Sequence, residues 1–401
     1  MASILTDLTK EETWLEYLQY KIEKGHLSKR EEQALSDFIE NKHYKSVTDQ
    51  LQNPDYCFFP PTKCTINKSG TKKKRVIYMF ENTEAMTLKV MSFLLYRYDH
   101  LISPNCYSFR QHSSAKDAIR TVLKTKNLDS MFCLKVDISN YFNSIPADRL
   151  CQKLEKILSD DKDTYNFLKR LLLSNEAIEN GQLIKENRGA MAGTSTSAFF
   201  ANIYLKDLDD YFSQKGILYF RYSDDILMFF PTSKELNSEF TYLKNVLSHE
   251  GLQINPDKVS ISAPNEPWEF LGISYDNGIV DLSNVTINKL KAKIRRKGRA
   301  LYRWQKRRGA TFEQTAKVMI RVFNKKFYDE TNEHSFTWSR WFFPLVNTDI
   351  SLKELDAYLI QYIRYLYKGR HYKGNFRIKY EDIKSLGYRS LVNEYYKSKN
   401  E

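Results

Sequence analysis

Two apolar, aromatic-rich runs lie close together in the middle of the sequence, ILYFRY at residues 217–222 and ILMFF at residues 226–230. Such runs are typical of β-strands, and the short polar connection SDD between them is typical of a tight turn. The pattern therefore predicts a β-hairpin that carries Asp224 and Asp225 at its tip. Asp is a common turn residue, but two adjacent like charges repel each other, and Asn-Gly makes the better turn. A divalent metal ion, which prefers hard oxygen ligands, would compensate this charge.

The run MFCLKV at residues 131–136 predicts a further strand, which ends in Asp137 and precedes a polar turn and two aromatic residues. If the fold brings Asp137 to the hairpin tip, the carboxylates have the arrangement that holds two Mg²⁺ ions roughly 3.5–4 Å apart. Such ions activate a 3′-hydroxyl, bind the phosphates of a nucleotide and stabilise the departing pyrophosphate. Two or three protein carboxylates suffice, because Mg²⁺ also keeps waters and takes phosphate oxygens.

Residues 289–308 combine an apolar helical stripe, formed by Leu290, Ile294 and Leu301, with a strongly basic remainder. The segment holds 11 Lys and Arg residues and no acid, and Gly298 is expected to weaken or bend the helix. A solvated helix face is one interpretation. Contact with nucleic acid is favoured, because no acids are present for pairing along the helix and a tyrosine and a tryptophan are interleaved where bases could stack.

A second basic cluster, NKSGTKKKRVIYMF at residues 67–80, predicts a hairpin with its turn at Ser69 and Gly70. The basic residues at the start of its second strand suit contact with phosphates. They are Lys72, Lys73, Lys74 and Arg75.

Composition limits the class of protein. The 401 residues, 42% hydrophobic and 28% charged, are typical of a globular protein of two or three packed units. A net charge of +13 indicates a polyanionic partner, most often nucleic acid. The five cysteines include no C-x-x-C pair, which argues for a reducing cytosol and against a structural zinc site or a disulfide framework. We expect no membrane span and no signal peptide, since no apolar run approaches ~20 residues and acids occur early at the N-terminus.

Segments across residues 63–280 resemble, in order and spacing, the motifs of reverse transcriptases, particularly the bacterial and group II intron enzymes. They are KKKRVIYMF (72–80), NCYSFRQHSSAKDAI (105–119), VDISNYFNSI (136–145, motif A), GAMAGTSTSAFFANIYL (189–205, motif B), YSDD (222–225, motif C), GLQINPDKVSIS (251–262, motif D) and EFLGISY (269–275, the primer-grip hairpin).

The resemblance implies that Asp137, Asp224 and Asp225 are the catalytic carboxylates and metal ligands, with Asp225 holding metal the least directly. The backbone of Ile138 would lie by the incoming triphosphate and belong to the same metal site. The implied cofactor is two Mg²⁺ ions, with Mn²⁺ as an alternative. Phe142, five residues after Asp137, falls at the steric-gate position, where a bulky ring crowds a 2′-hydroxyl and favours dNTPs; its alternative is a core residue.

The resemblance also implies nucleotide-binding roles for further residues. Lys74 and Arg75 would pair with triphosphate oxygens. Lys258 would be a general acid for pyrophosphate or merely a solvated lysine. Arg110 would grip the template or the nucleotide, or only brace the fingers. Gly193 of motif B remains in place.

Three residues depart from the family pattern in motif B, and one does so upstream. Met191 and Ala192 stand where Pro-Gln is usual, and Ala198 stands where Pro is usual; Ser108 replaces a glycine. Because the missing glutamine amide normally positions the nucleotide and the template, the resemblance leaves untemplated synthesis open. Altered B motifs are similar to those of the abortive-infection and defence-associated bacterial enzymes, some of which copy a dedicated non-coding RNA.

The expected function is therefore an RNA-directed DNA polymerase of anti-phage defence in the cytoplasm. It would use dNTPs and a structured non-coding RNA as template or activator, with DNA as product; oligomerisation stays open. One alternative is an untemplated or protein-primed DNA polymerase of the abortive-infection type. Another is a catalytically idle, RNA-binding palm protein. Phe142 and the FLG segment argue against an RNA-dependent RNA polymerase.

The expected architecture is an α+β, right-hand polymerase with fingers, palm and thumb. The predicted domains are an N-terminal helical extension (1–45), fingers (46–135), a palm with an antiparallel sheet (136–280) and a basic helical thumb (281–401).

Overall fold

The computed structural model describes residues 2–25, 27–67, 74–329 and 337–400. The chain divides into two compact units, Met1–Asn265 and Glu266–Glu401. In chain order, the helices and strands of the first unit are α1 (Ile4–Leu8), α2 (Glu11–Glu23), α3 (Lys29–Glu40), α4 (Lys45–Thr48), β1 (Thr62–Asn67), β2 (Lys74–Met79), α5 (Asn82–Leu94), α6 (Ala115–Lys124), β3 (Phe132–Asp137), α7 (Tyr141–Ser144), α8 (Ala147–Ile157), α9 (Lys162–Leu173), β4 (Glu176–Glu179), β5 (Gln182–Lys185), α10 (Ser197–Tyr204), α11 (Lys206–Gln214), β6 (Leu218–Tyr222), β7 (Asp225–Phe230), α12 (Ser233–His249) and β8 (Ser260–Ser262).

The N-terminal residues are helical, as their sequence predicts, and they pack on the first unit. Trp14 on α2 is fully buried; its ring stacks on Tyr44 with 4.7 Å between centroids, and its indole N–H donates to the Leu8 carbonyl. Helix α3 begins with a capping box in which Ser28 and Glu31 satisfy each other's backbone N–H groups.

An antiparallel sheet in the order β6-β7-β3-β8 lies at the centre of the first unit. Strands β6 and β7 form the predicted hairpin with a two-residue turn, Ser223 and Asp224, and Ser223 has the positive φ of 60° that such a turn uses. The apolar run of β7 is buried throughout residues 226–230. Because β7 is central in the sheet and covered on both faces, its sequence is a continuous apolar run and does not alternate between apolar and polar residues.

A second sheet has the order β2-β1-β4-β5. Its β1–β2 pair is antiparallel, which confirms the predicted hairpin strands; the predicted turn at Ser69 and Gly70, together with Lys72 and Lys73, lies outside the described residues. Strand β4 pairs parallel to β1, and β4 and β5 come from the segment assigned to the palm. The predicted domain boundaries stay a prediction, since the sheet joins segments on both sides of them.

The second unit is predominantly helical, as predicted for residues 281–401, with one small antiparallel sheet in the order β11-β10-β9. The FLG segment forms the turn between β9 and β10. The elements of this unit are β9 (Trp268–Phe270), β10 (Ile273–Asp276), β11 (Ile279–Leu282), α13 (Asn284–Arg308), α14 (Phe312–Tyr328), α15 (Trp338–Phe342), α16 (Ile350–Lys368), α17 (Tyr380–Ser385) and α18 (Leu391–Asn400).

The predicted basic helix is α13, which begins after the N-cap Ser283 and buries its apolar stripe. Gly298 lies inside this helix and is buried. A Cβ atom there would lie 2.8 Å from Cδ1 of Tyr362 on α16. The glycine therefore allows α13 and α16 to approach closely, which is the physical reason for a residue that lowers helix propensity.

Within the described residues, no helix is long and apolar enough to cross a membrane.

Candidate active site

The central sheet brings together the three carboxylates that are far apart in the sequence. Asp137 at the end of β3 and Asp225 at the start of β7 are directly opposite partners in the antiparallel register. Asp224 lies in the adjoining turn, where its carbonyl accepts a hydrogen bond from the Ile138 N–H over 3.0 Å. The end of one strand and the tip of a hairpin thus form a single acidic site.

Burial and repulsion between like charges disfavour the charged forms of Asp224 and Asp225. Asp137 is 4% exposed, and the other two are half-buried. Burial and then the charge of Asp137 raise the pKa of Asp224. Burial and then the charge of Asp224 raise the pKa of Asp225 to about 6. The site therefore has more negative charge than its protein surroundings compensate.

Lys258 supplies the positive charge that the structure places directly at this site. Its Nζ lies 2.5 Å from Oδ2 of Asp137, and the side chain is 54% exposed. Although burial lowers it, the pKa of Lys258 is raised overall by the hydrogen bond to Asp137 and by the charges of Asp137, Asp225 and Asp224. The ammonium therefore contacts the acidic site while the side chain stays half exposed to solvent, and the general-acid role stays a prediction.

The donor set suits a hard divalent cation, because it consists of clustered carboxylate oxygens with a shortage of positive charge. In the part of the chain that the structure describes, no group of three His, Cys, Asp or Glu side chains is already arranged to hold a metal ion. A cation bound by Asp137 would compete with the ammonium of Lys258 for the same carboxylate.

Phe142 lies on α7, shortly after β3, and is half-buried. Its ring makes an edge contact with Phe109, with 6.2 Å between centroids, and the guanidinium carbon of Arg75 is 5.6 Å from the ring centroid. The ring packs partly against the hydrophobic core of the first unit, and the gate role stays a prediction. Lys74 and Arg75 are both exposed at the start of β2, and Arg75 is the one that the structure places beside the ring.

The motif B loop is held against both motif A and strand β2. Ala190 N–H donates to the Phe142 carbonyl over 2.7 Å, and Ala192 N–H donates to Oδ1 of Asn143 over 3.0 Å. Gly193 has a φ of 103°, and a Cβ there would lie 2.9 Å from Cβ of Ile77. Glycine is therefore required at this position by both conformation and space. Ala192, where the family has glutamine, is buried.

Arg110 does not reach the carboxylates. Its guanidinium donates to the carbonyls of Ser103 and Cys106 through Nη1, over 3.0 and 3.3 Å, and to the carbonyl of Asp99 through Nη2, over 3.0 Å. Three bonds to the backbone of its own neighbourhood favour the bracing role over a role in gripping template or nucleotide.

Sequence reasoning missed the residue that anchors the motif C hairpin, Arg221. It is fully buried and pairs with Asp209 on α11, with Nη2 to Oδ2 at 2.5 Å and Nε to Oδ1 at 2.7 Å. Its Nη1 also donates to the carbonyl of Ser223, one residue before the carboxylates. A single arginine inside an apolar strand is the signal that could have revealed it, since a buried cation requires a partner.

A second buried network joins motif B to the segment at residues 105–119. The Nδ2 of Asn202 donates to the Ser108 carbonyl over 2.7 Å, and the Ser108 hydroxyl donates back to Oδ1 of Asn202 over 2.9 Å. Ser108 therefore makes a bond that the usual glycine could not make.

The sequence profile of the family described as reverse transcriptase (RNA-dependent DNA polymerase) matches residues 66–275, which is more than half of the chain. This chain belongs to the reverse transcriptase family. Its fold is accordingly the right-hand polymerase fold of mixed helices and antiparallel sheets, and its enzyme class is that of RNA-directed DNA polymerases, which are nucleotidyltransferases.

Similarity to individual proteins is low and is limited to part of each relative. The retron Ec86 reverse transcriptase of Escherichia coli is 24% identical over 236 residues, covering 57% of this chain and 68% of that protein. The retron Ec83 reverse transcriptase of Escherichia coli is 30% identical over 131 residues, covering 29% of this chain and 40% of that protein. The group II intron-encoded protein LtrA of Lactococcus lactis subsp. cremoris is 24% identical over 216 residues, covering 53% and 35%. The chain thus spans less than half the length of two of these three relatives.

Proposed function

We propose that this chain extends a DNA strand with dNTPs on an RNA template, using two divalent metal ions held by Asp137, Asp224 and Asp225 together with the backbone of Ile138. The observation that carries the proposal is the direct pairing of Asp137 with Asp225 across β3 and β7, with Asp224 in the adjoining turn. When bound, Mg²⁺ or Mn²⁺ ions supply activation of the 3′-hydroxyl and neutralise charge on the triphosphate.

The surrounding residues take complementary roles in this proposal. Lys258, already hydrogen-bonded at the site, delivers a proton to the departing pyrophosphate. Arg75 pairs with triphosphate oxygens, beside the ring of Phe142, which excludes a 2′-hydroxyl. Gly193 keeps the motif B loop close to β2, so that the walls of the nucleotide site are joined by backbone contacts.

The test is nucleotide incorporation by the purified protein with Mg²⁺ or Mn²⁺, a DNA primer on an RNA template, and labelled dNTPs or rNTPs. We expect incorporation of dNTPs in the order that the template specifies. Incorporation of rNTPs alone would indicate an RNA polymerase, and no incorporation with either metal ion would indicate an idle palm that only binds RNA.

We further propose that the enzyme acts in bacterial anti-phage defence in the cytoplasm, with a structured non-coding RNA as template or activator. Three features support this proposal: the retron enzymes among its relatives, the buried Met191 and Ala192 in motif B, and the basic helix α13 as an RNA surface. Sequencing of RNA and DNA that co-purify from the native host tests it. One enriched RNA with complementary DNA is expected; random or homopolymeric DNA linked to protein would favour untemplated, protein-primed synthesis instead.

A further inference from the structure

A cleft of about 660 Å³ opens in the first unit between α4, the loop that follows it and the start of α5. None of the residues that form its walls belongs to the acidic site described above. The cleft is therefore formed by residues other than those of the proposed metal site.

The wall of the cleft contains a buried carboxyl group with an unused oxygen. Glu84, in the first turn of α5, is 4% exposed. Its Oε1 accepts a hydrogen bond from the Phe59 N–H over 2.9 Å, whereas its Oε2 is buried and has no hydrogen-bond partner. Buried polar atoms in folded proteins are almost always paired, so an unpaired carboxylate oxygen beside a cleft indicates a ligand that donates a hydrogen bond.

The charge of the cleft selects a cation. Glu81 and Asp55 line the cleft together with Glu84, and no Lys or Arg is among its described lining residues. Glu81 adds like charge to Glu84. The start of α5 contributes only about half a positive charge, which does not balance the carboxylates of Glu81 and Asp55. The charges of Arg170 and Arg188 act to lower the pKa of the Cys57 thiol, which also lines the cleft. They are not among the charges that shift the pKa of Glu84.

The shape and chemistry of the walls distinguish between cations. The described residues include no group of three His, Cys, Asp or Glu side chains arranged for a metal ion, so this absence does not separate the cleft from the rest of the described chain. Phe59 is 71% exposed and presents a flat ring. Tyr56 lies close enough to Glu84 for the charge of Glu84 to add to the rise in the pKa of Tyr56. A planar cation that stacks on a ring and donates two parallel hydrogen bonds to a carboxylate is a guanidinium.

We propose that this cleft binds a guanidinium group, with Glu84, ionised when the cation is bound, as its buried acceptor and Phe59 as its stacking surface. The group belongs either to an arginine side chain of a partner polypeptide or to a small guanidinium compound. Either source would leave Oε2 of Glu84 hydrogen-bonded and would neutralise part of the charge of the cleft.

The test is calorimetric titration of the full chain with two probes, the capped peptide acetyl-Gly-Arg-Gly-amide and agmatine. Saturable 1:1 binding of at least one probe is expected. The matching lysine peptide should bind about tenfold more weakly and the uncharged citrulline peptide not at all. Binding of the peptide but not of agmatine identifies a polypeptide partner, and equal or tighter binding of agmatine identifies a small compound. Absence of saturable binding of both probes at millimolar concentration overturns the proposal.

Variants of the wall make the test specific. Glu84→Gln keeps the shape and removes the charge, and should weaken binding about tenfold or more. Phe59→Ala removes an exposed ring, leaves the folded core intact and should also weaken binding. If Glu84→Gln does not fold, the affinity of Phe59→Ala for the probes tests the proposal. Glu16→Gln, an exposed change on α2, is the matched control and should bind as the wild type does. Unchanged binding by both Glu84→Gln and Phe59→Ala contradicts the proposal. Nucleotide incorporation should be the same in all three variants, so the two proposals fail independently.

Discussion

Asp137 and Asp225 are direct partners across the antiparallel strands β3 and β7, so the pleat holds two carboxylates side by side at one end of these two central strands. Like charges placed opposite each other destabilise a sheet, and burial increases this effect. The pair is therefore unfavourable for the strands themselves. It becomes useful when a cation binds, which is the basis of the proposed polymerase activity.

The double variant Asp224→Ala/Asp225→Ala should lose nucleotide incorporation by about 10³-fold or more, because it removes two of the three carboxylates that act as a unit. RNA affinity should remain close to that of the wild type, since these side chains do not contribute positive charge. Both are measured on the purified protein, by incorporation and by filter binding. Asp37→Ala on α3 is the surface control. Undiminished incorporation by the double variant would refute the site.

Phe142→Val should relax sugar selection and raise the use of rNTPs relative to dNTPs, because a smaller side chain no longer crowds the 2′-hydroxyl. The ratio of kcat/KM for the two nucleotides is the measurement. Phe240→Val, which shortens another half-buried phenylalanine on α12, should leave the ratio unchanged. An unchanged ratio in a folded Phe142→Val protein would make Phe142 a packing residue.

Lys258→Ala should lower the Mg²⁺ concentration needed for half-maximal activity, because an ammonium no longer competes for Asp137. It should also reduce kcat by about 10²-fold, the usual effect of removing a general acid. A Mg²⁺ titration of single-nucleotide incorporation measures both. Lys258→Arg retains the charge and should keep the Mg²⁺ requirement of the wild type. If neither quantity changes in Lys258→Ala, the residue is only a solvated lysine.

Neutralising four exposed arginines of α13, by changing Arg295, Arg296, Arg299 and Arg303 to Gln, should flatten the dependence of log affinity on log salt. The slope should change by roughly 0.7 for each lost phosphate contact to single-stranded nucleic acid. The matched control removes the same charge from the N-terminal helices α3 and α4 and the turn between them. Its substitutions are Lys29, Arg30, Lys42 and Lys45 to Gln. Equal slopes for the α13 variant and the wild type would assign this helix to the solvated surface.

Glu84 should make stability depend on pH. Burial raises the pKa of its carboxyl from 4.5 to about 7, with the charge of Glu81 adding to the effect. The folded state therefore binds the proton more tightly than the unfolded state. The contribution of Glu84 to stability is complete below pH 4.5 and is lost as the pH rises through about 7.

Denaturation of the wild type and Glu84→Gln between pH 5 and pH 8 tests this sign. Over this range the unfolding free energy of the wild type should fall by a few kcal/mol relative to that of the variant. The reason is that a pKa shift of one unit corresponds to about 1.4 kcal/mol. Glu16→Gln should follow the wild type. Parallel curves for the wild type and Glu84→Gln would show that Glu84 is ionised throughout this range.

Local sequence patterns predicted the helices and strands whose formation depends mainly on residues that are close together in the chain. The β6–β7 hairpin, the strand that ends in Asp137 and the apolar stripe of α13 all follow from periodicity and turn chemistry. The motifs also identified the three carboxylates. That Asp137 meets Asp225 is decided by the pairing of β3 with β7, two strands that are far apart in the sequence.

Tertiary structure decided the contacts between residues that carry no mutual signal in the chain. Arg221 with Asp209, and Lys258 with Asp137, are ion pairs whose partners only the packing of distant elements selects. The parallel addition of β4 to β1 likewise joins segments that the domain prediction separates.

Gly298 shows most simply what the sequence alone does not determine. Its sequence context indicates a weakened or bent helix, whereas the ring of Tyr362 is the reason that a side chain is absent there. Propensity is a property of one residue and its neighbours along the chain, and it is read directly from the sequence. Steric fit and charge compensation depend on which surfaces meet in space, and in this protein the fold alone supplies that information.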